Sequence, residues 1–131
     1  MKITQLLTPI AQVPWIAVSD TVRDAFDHME SYDLGAAAVL APNGHYVGTL
    51  TVADLRRHVD GAIDRTAAFA TPLSEVERRS SNVAVAVDCE VDSVIDQAAT
   101  HPFIPVVDGA GRLVGIVDRR RILATRLPTA A

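Results

Sequence analysis

The chain has 131 residues, 49% of them hydrophobic and 21% charged, with a formal net charge of −4. That length suffices for a core burying about two-thirds of the unfolded surface, held by one compact domain or shared by two half-domains. The acidic balance excludes a broad positive field for nucleic acid or an anionic membrane, so an anionic ligand has to be met by a local basic cluster.

The single cysteine, Cys89, excludes an internal disulfide framework and fits a reducing compartment. The opening stretch MKITQLLTPIAQVPW lacks the apolar core of a secretion signal. No uncharged apolar run approaches the ~18 residues of a membrane span, and the expectation is a cytosolic protein.

In chain order, residues 15–18 form a short apolar stretch that fits a strand. A helix follows, with Val22, Ala25, Phe26 and Met29 at i, i+3, i+4 and i+7 on one stripe. Two strands come next, joined by the turn residues Pro42-Asn43-Gly44, and a second helix spans about 52–60. Residues 61–82 mix small, charged and turn residues and form a connection in which Thr71-Pro72 echoes Thr8-Pro9, so the second copy of the pattern starts as early as Ala70 on that signal.

The same order then recurs. Residues 83–87 fit a strand, Val91, Val94, Ile95 and Ala98 repeat the helical spacing, Asp108-Gly109-Ala110-Gly111 marks the turn of a second hairpin, and a last helix spans about 119–126. AAAVLAPNGHYVGTLTVADL matches FIPVVDGAGRLVGIVDRRRI, with Gly44 over Gly111 and Gly48 over Gly115, both 67 positions apart. The preceding helices match at an offset of 69, a difference of one short loop. A repeat at this period means two copies of one supersecondary unit, strand-helix-strand-strand-helix, and a cleft between related surfaces. The fold class is α/β.

The first hairpin runs into a helix through Gly48-Thr49-Leu50-Thr51-Val52-Ala53-Asp54. A helix start offers unpaired N–H groups to a phosphate, and an aspartate one turn in can accept two hydrogen bonds from a ribose diol. The same Thr-x-x-Asp spacing is also a capping box that satisfies the helix with no ligand. In the second copy Asp118 and Arg121 stand at these places, so the diol acceptor has become a cation and Asp118 is expected as an N-cap. Arg119, Arg120 and Arg121 crowd that helix start against the macrodipole. An anion nearby would offset the repulsion at Arg119 and Arg120, and a solvated basic face accounts for them equally well. Arg121 is expected to face solvent or pair with a carboxylate.

The doubled pattern, the string IPVVDGAGRLVGIV and the G-h-h-T-x-x-D run at 48–54 together resemble a tandem pair of CBS (cystathionine β-synthase) domains, a Bateman module. The resemblance covers essentially the whole chain and implies CBS motif 1 at 1–62, a connection at 63–82 and CBS motif 2 at 83–131, packed pseudo-symmetrically. It implies an adenosyl ligand between the motifs, with Asp54 on the ribose, Thr51 near the phosphate, and Arg119 or Arg120 reaching the same phosphate from the other copy. Adenine is then expected beside Val13 and Pro14 on one wall and Ala36, Ala37 and Ala38 on the other. Ala38 stands where the second copy has Pro105.

The arginine run after GIV is similar to small stand-alone CBS proteins of Gram-positive bacteria that bind cyclic di-AMP. Cyclic di-AMP is therefore the leading ligand, with AMP, ADP or ATP behind it, and no cofactor is expected. The resemblance further implies a homodimer joined through helices, an unidentified regulated protein partner, and no catalytic activity.

Two other readings stay open: a constitutive interaction adapter with no nucleotide ligand, and an enzyme or enzyme subunit. The second rests only on scattered carboxylates and histidines. Asp24, Asp27 and Glu30 read as solvated acids, and His28, His45, His58 and His101 have no partners at metal-ligand spacing. No Walker A, G-x-S-x-G or G-x-G-x-x-G run occurs. Cys89 reads as a space filler, and Trp15 as a residue at a core edge or dimer contact.

Overall fold

The computed structural model describes residues 1–125. The strands are β1 (Thr8–Pro9), β2 (Ile16–Ala17), β3 (Ala36–Leu40), β4 (Tyr46–Thr51), β5 (Val85–Ala86), β6 (Phe103–Val107) and β7 (Leu113–Asp118). The helices are α1 (Val22–Ser31), α2 (Val52–Asp60), α3 (Arg65–Phe69), α4 (Ile95–Thr100) and α5 (Arg119–Ala124). Short 3₁₀ turns occupy Ile3–Leu6, Ile10–Gln12, Leu73–Glu75 and Val91–Val94. The expected helix over 119–126 ends at Ala124, and its last position, Arg126, lies outside the described residues, as does the rest of motif 2 up to 131.

The chain divides into two compact units: a continuous one, Pro14–Ser81, and a discontinuous one made of Met1–Val13 and the chain from Asn82 onward. Sequence order groups residues 1–13 with motif 1; contacts group them with the second copy.

In the continuous unit the sheet order is β2-β3-β4. β2 runs parallel to β3 with Ile16 opposite Val39, and α1 supplies the crossover that parallel strands require. α1 is one uninterrupted helix because Thr21 and Asp24 form a capping box at its start and the apolar stripe faces inward. Val22, Ala25 and Met29 from α1, Leu55 and Val59 from α2, and Ile16, Val39 and Leu50 from the strands make the core, closed by Leu73 and Val76 from the connection. Each such side chain contributes roughly 1.5–3 kcal/mol on burial, so truncating fully buried Leu50 to alanine is enough to endanger this unit. Phe26 sits at the core margin against Phe69, with ring centroids 5.8 Å apart. Trp15 is 42% exposed and so lies outside this core.

In the discontinuous unit the order is β1-β7-β6-β5, with β5 parallel to β6 and the other pairs antiparallel. The N-terminal arm is part of its core: Ile3 is fully buried with Val91, Val94, Ile104, Val117 and Ile122. Backbone bonds from Ile3 N to Cys89 O (2.8 Å) and from Val91 N to Met1 O (3.0 Å) hold the arm in place, and Lys2 and the N-terminal amine both pair with Glu90. β1 approaches β7 so closely that a Cβ on Gly115 would lie 2.2 Å from Thr8 O. Only glycine fits there.

The two hairpins are near copies. Each turn has its glycine at positive φ, 85° at Gly44 and 86° at Gly111, a conformation glycine adopts without the steric cost a Cβ would bring. Each carries a register shift at the same repeat position, Val39/Leu40 and Val106/Val107.

One expectation is corrected. The stripe Val91, Val94, Ile95, Ala98 predicts a single helix; the structure has a 3₁₀ turn followed by the six-residue α4. The N-cap position holds Glu90, which makes no side-chain cap and faces Lys2 and the amino terminus. The first turn thus lacks the partner that Thr21 provides in α1, and it tightens into i→i+3 bonds.

Candidate functional site

In the continuous unit the motif residues meet where β4 runs into α2. Thr51 is the N-cap: its Oγ1 accepts from Asp54 N at 3.1 Å, and Asp54 Oδ2 accepts from Thr51 N at 3.0 Å. The capping box expected from Thr-x-x-Asp is therefore formed. Asp54 also accepts on Oδ1 from Arg57 Nη2 at 2.6 Å and from Arg79 N at 3.3 Å.

The Asp54 side chain is 2% exposed and that of Arg57 33%. Burial by itself raises an aspartate; the Thr51, Arg57 and Arg79 hydrogen bonds outweigh it and hold the Asp54 carboxyl below its ordinary value. The carboxylate is ionised, buried and partnered on both oxygens. Beside it lies a cavity of about 200 Å³ lined by Asp54, Arg57, His58, Glu75 and Glu77.

Strand pairing sets the alanines relative to this helix start. Ala36 is opposite Thr51, Ala37 opposite Leu50, and Ala38 opposite Thr49. Because side chains alternate across a sheet, Ala36 and Ala38 share a face with Thr49 and Thr51. Ala37 belongs to the other face and packs in the core cluster with Val39 and Leu50. Ala38 and Thr49 are both buried, and Tyr46 Oη lies 2.7 Å from Thr49 Oγ1 on the same strand. Pro14 opens the continuous unit; Val13 closes the N-terminal arm of the other, 7% exposed.

In the discontinuous unit Asp118 caps α5, its Oδ1 accepting from Arg120 N at 2.8 Å, as expected of an N-cap. Burial raises Asp118, but the backbone and side-chain bonds from Arg120 and the charges of Arg120 and Arg121 lower it below the usual value. The Arg120 side chain is 89% exposed and reaches back to Asp118 Oδ2 at 3.4 Å. Arg119 N donates to Pro102 O at 3.1 Å, and its side chain is exposed. Arg121 is exposed, one of its two expected placements, and also donates to Leu6 O at 3.1 Å, which ties α5 to the N-terminal arm.

Arg57, Arg79, Glu75 and Glu77 were absent from the sequence-based set. Arg57, three residues beyond Asp54, had a visible signal, since i,i+3 pairs on a helix are neighbours. Arg79 had none, being 25 positions away in an irregular segment. Among the described residues no three His, Cys, Asp or Glu side chains are grouped as metal ligands, and no helix is long and apolar enough to cross a membrane.

A family model for the CBS domain matches residues 3–61 and again 73–127. No curated protein matches the chain. Among solved structures, a CBS domain-containing protein of unknown function from Bacillus anthracis superposes with a TM-score of 0.84 at 18% identity, covering 96% of this chain and 92% of the other. Listeria monocytogenes CbpB in complex with c-di-AMP gives 0.82 at 17% identity, covering 94% and 92%. CBSX2, an Arabidopsis thaliana protein, in complex with AMP gives 0.78 at 18% identity, covering 95% of each chain. With the family model matched twice over most of its length, on two α/β units each built around the same helix and hairpin, this chain belongs to the CBS domain family as a tandem pair.

Proposed function

We propose that the chain is a regulatory module that binds an adenine nucleotide and transmits its presence to a partner protein. Cyclic di-AMP is the leading ligand, with AMP, ADP or ATP next. The ribose is received by Asp54, the phosphate lies at Thr51 and the start of α2, and Ala36 and Ala38 on the neighbouring strand leave room for the base. Arg119 and Arg120 are assigned as further anion contacts, and Val13 and Pro14 as further base contacts; a homodimer and catalytic silence complete the reading.

The observation that carries it is the carboxylate of Asp54, kept ionised in a buried setting at a helix start that also presents backbone N–H groups. The chain's similarity to structures titled as complexes with AMP and c-di-AMP supports the same choice of ligand class. Isothermal titration of AMP, ATP and cyclic di-AMP into the protein tests it. AMP is expected to bind with a Kd in the micromolar range and 2′-deoxy-AMP more weakly by about tenfold, since the deoxy sugar forfeits a hydrogen bond to a charged acceptor. Equal affinity for the two ligands removes Asp54 from the site.

A second reading, a constitutive adapter without a ligand, is favoured by one observation: Asp54 is already satisfied by its own chain. A thermal shift screen with no response to any adenine nucleotide supports the adapter; a ligand that binds the folded state raises Tm.

A further inference from the structure

Asp54 holds three donors, and they differ in kind. Thr51 N and Arg79 N are backbone groups fixed by the start of α2 and by the connecting segment, at 3.0 and 3.3 Å. The third is a side chain, the Arg57 guanidinium at 2.6 Å. A carboxylate offers about four acceptor positions, so a ribose diol that bridges both oxygens has to displace a donor, and Arg57 is the one that can leave by rotation.

Arg57 also has somewhere to go. Its side chain is one-third exposed and borders the roughly 200 Å³ cavity that Glu75 and Glu77 line. Both glutamates are exposed, and Glu77 makes a long contact to Arg79 Nε at 3.5 Å. His58 is the remaining titratable group on that wall.

We infer that Arg57 is a two-position latch on the ligand site, closed on Asp54 when the site is empty and moved toward Glu75 and Glu77 when a ribose occupies Asp54. This rests on the nucleotide reading given above and adds its regulation. The exchange carries a local consequence: Glu75, Glu77 and Arg79 all belong to the connecting segment, so the acceptors that receive Arg57 and the amide that stays on Asp54 lie within five residues of one another. Ligand binding is thereby reported to the connection by a single side chain.

The experiment is titration of AMP and 2′-deoxy-AMP into wild type, Arg57→Gln and the double variant Glu75→Gln/Glu77→Gln. A latch that is closed about nine-tenths of the time lowers apparent affinity about tenfold, so Arg57→Gln is expected to bind AMP about tenfold more tightly. The gain should be absent for 2′-deoxy-AMP, which does not compete for the carboxylate in the same way. The double variant changes only exposed side chains and keeps the Asp54 pair; with no acceptor for the released guanidinium it is expected to bind AMP about threefold more weakly. AMP binding to wild type with unchanged or weaker binding to Arg57→Gln overturns the latch alone, as does a double variant equal to wild type. Absence of AMP binding to all three proteins overturns the latch, and the nucleotide reading falls with it when ATP and cyclic di-AMP also fail to bind wild type.

Discussion

The two units start from one repeated pattern and secure it differently. In the continuous unit α1 and α2, the two helices of the repeated pattern, open on a capping box, Thr21 with Asp24 and Thr51 with Asp54. In the discontinuous unit the corresponding places are Glu90, with no side-chain cap, and Asp118, which caps α5 without a reciprocal partner. What local caps do in the first unit, the N-terminal arm does in the second: its amine and Lys2 hold Glu90, its residue Leu6 accepts from Arg121, and its strand covers β7. The contrast teaches that a repeat can keep its hydrophobic pattern while exchanging local ties for distant ones, and that the unit with local ties is the one that keeps a buried carboxylate at its second helix start.

The sharpest test of this contrast uses the paired glycines. At Gly115 an added Cβ meets the Thr8 carbonyl oxygen at 2.2 Å, a backbone atom that cannot swing away. At Gly48 the nearest atom is Arg78 Nε at 3.1 Å, the far end of a flexible side chain. Gly115→Ala is expected to cost about 3 kcal/mol through displacement of the arm, and Gly48→Ala less than about 1 kcal/mol. Chemical denaturation of the two variants measures both. Equal costs would break the claim that the arm is integral to the second unit.

Next in size is the aspartate pair. Asp54→Asn leaves the Arg57 guanidinium beside a neutral amide and is expected to cost about 2 kcal/mol at neutral pH, whereas Asp118→Asn, at a cap that keeps an acceptor, costs about 0.5 kcal/mol. The pH dependence follows from the lowered Asp54 carboxyl. A folded-state value below the unfolded one stabilises above the ordinary aspartate range, and that stabilisation is lost as pH falls through the folded value. The gap between wild type and Asp54→Asn in Tm should therefore be full at neutral pH and close in strong acid. A gap independent of pH means the carboxylate is not the stabilising species.

Both hairpins and the helix of the continuous unit are legible in the sequence because local signals agree there: alternating apolar residues, a glycine at each turn, and a stripe with a cap in front of it. The Thr51 and Asp54 pair is legible for the same reason, as four consecutive positions of one helix start. Legibility stops where a partner lies far along the chain. Nothing in MKITQLLTPI indicates that Ile3 is fully buried beside Val91 or that Thr8 borders Gly115. The Asp54 to Arg79 bond has the same character, and without it the aspartate reads as open to a ligand when it is already occupied. The periodicity at Val91, Val94, Ile95 and Ala98 misleads in a further way: a stripe identifies the buried face, and both an α-helix and a 3₁₀ turn joined to one can present it, so the missing cap decides.

The smallest effect concerns that missing cap. Thr21→Ala removes the Oγ1 acceptor at 3.2 Å from Asp24 N and is expected to cost about 1 kcal/mol. The reverse change builds a cap where none exists: Glu90→Thr with Ser93→Asp places Thr-x-x-Asp before the second stripe at the spacing of 21 and 24. The ties lost are exposed: the ion pairs from the amino terminus at 3.2 Å and Lys2 at 2.9 Å, which salt screens strongly, and the Ser93 Oγ bond to Glu90 O at 2.7 Å. The double variant is therefore expected to gain slightly in Tm at high salt and to extend amide exchange protection from α4 back toward Val91. If protection stays confined to α4, the arm rather than the cap sets the shape of this turn, because the Val91 N to Met1 O bond then holds the backbone against the helix.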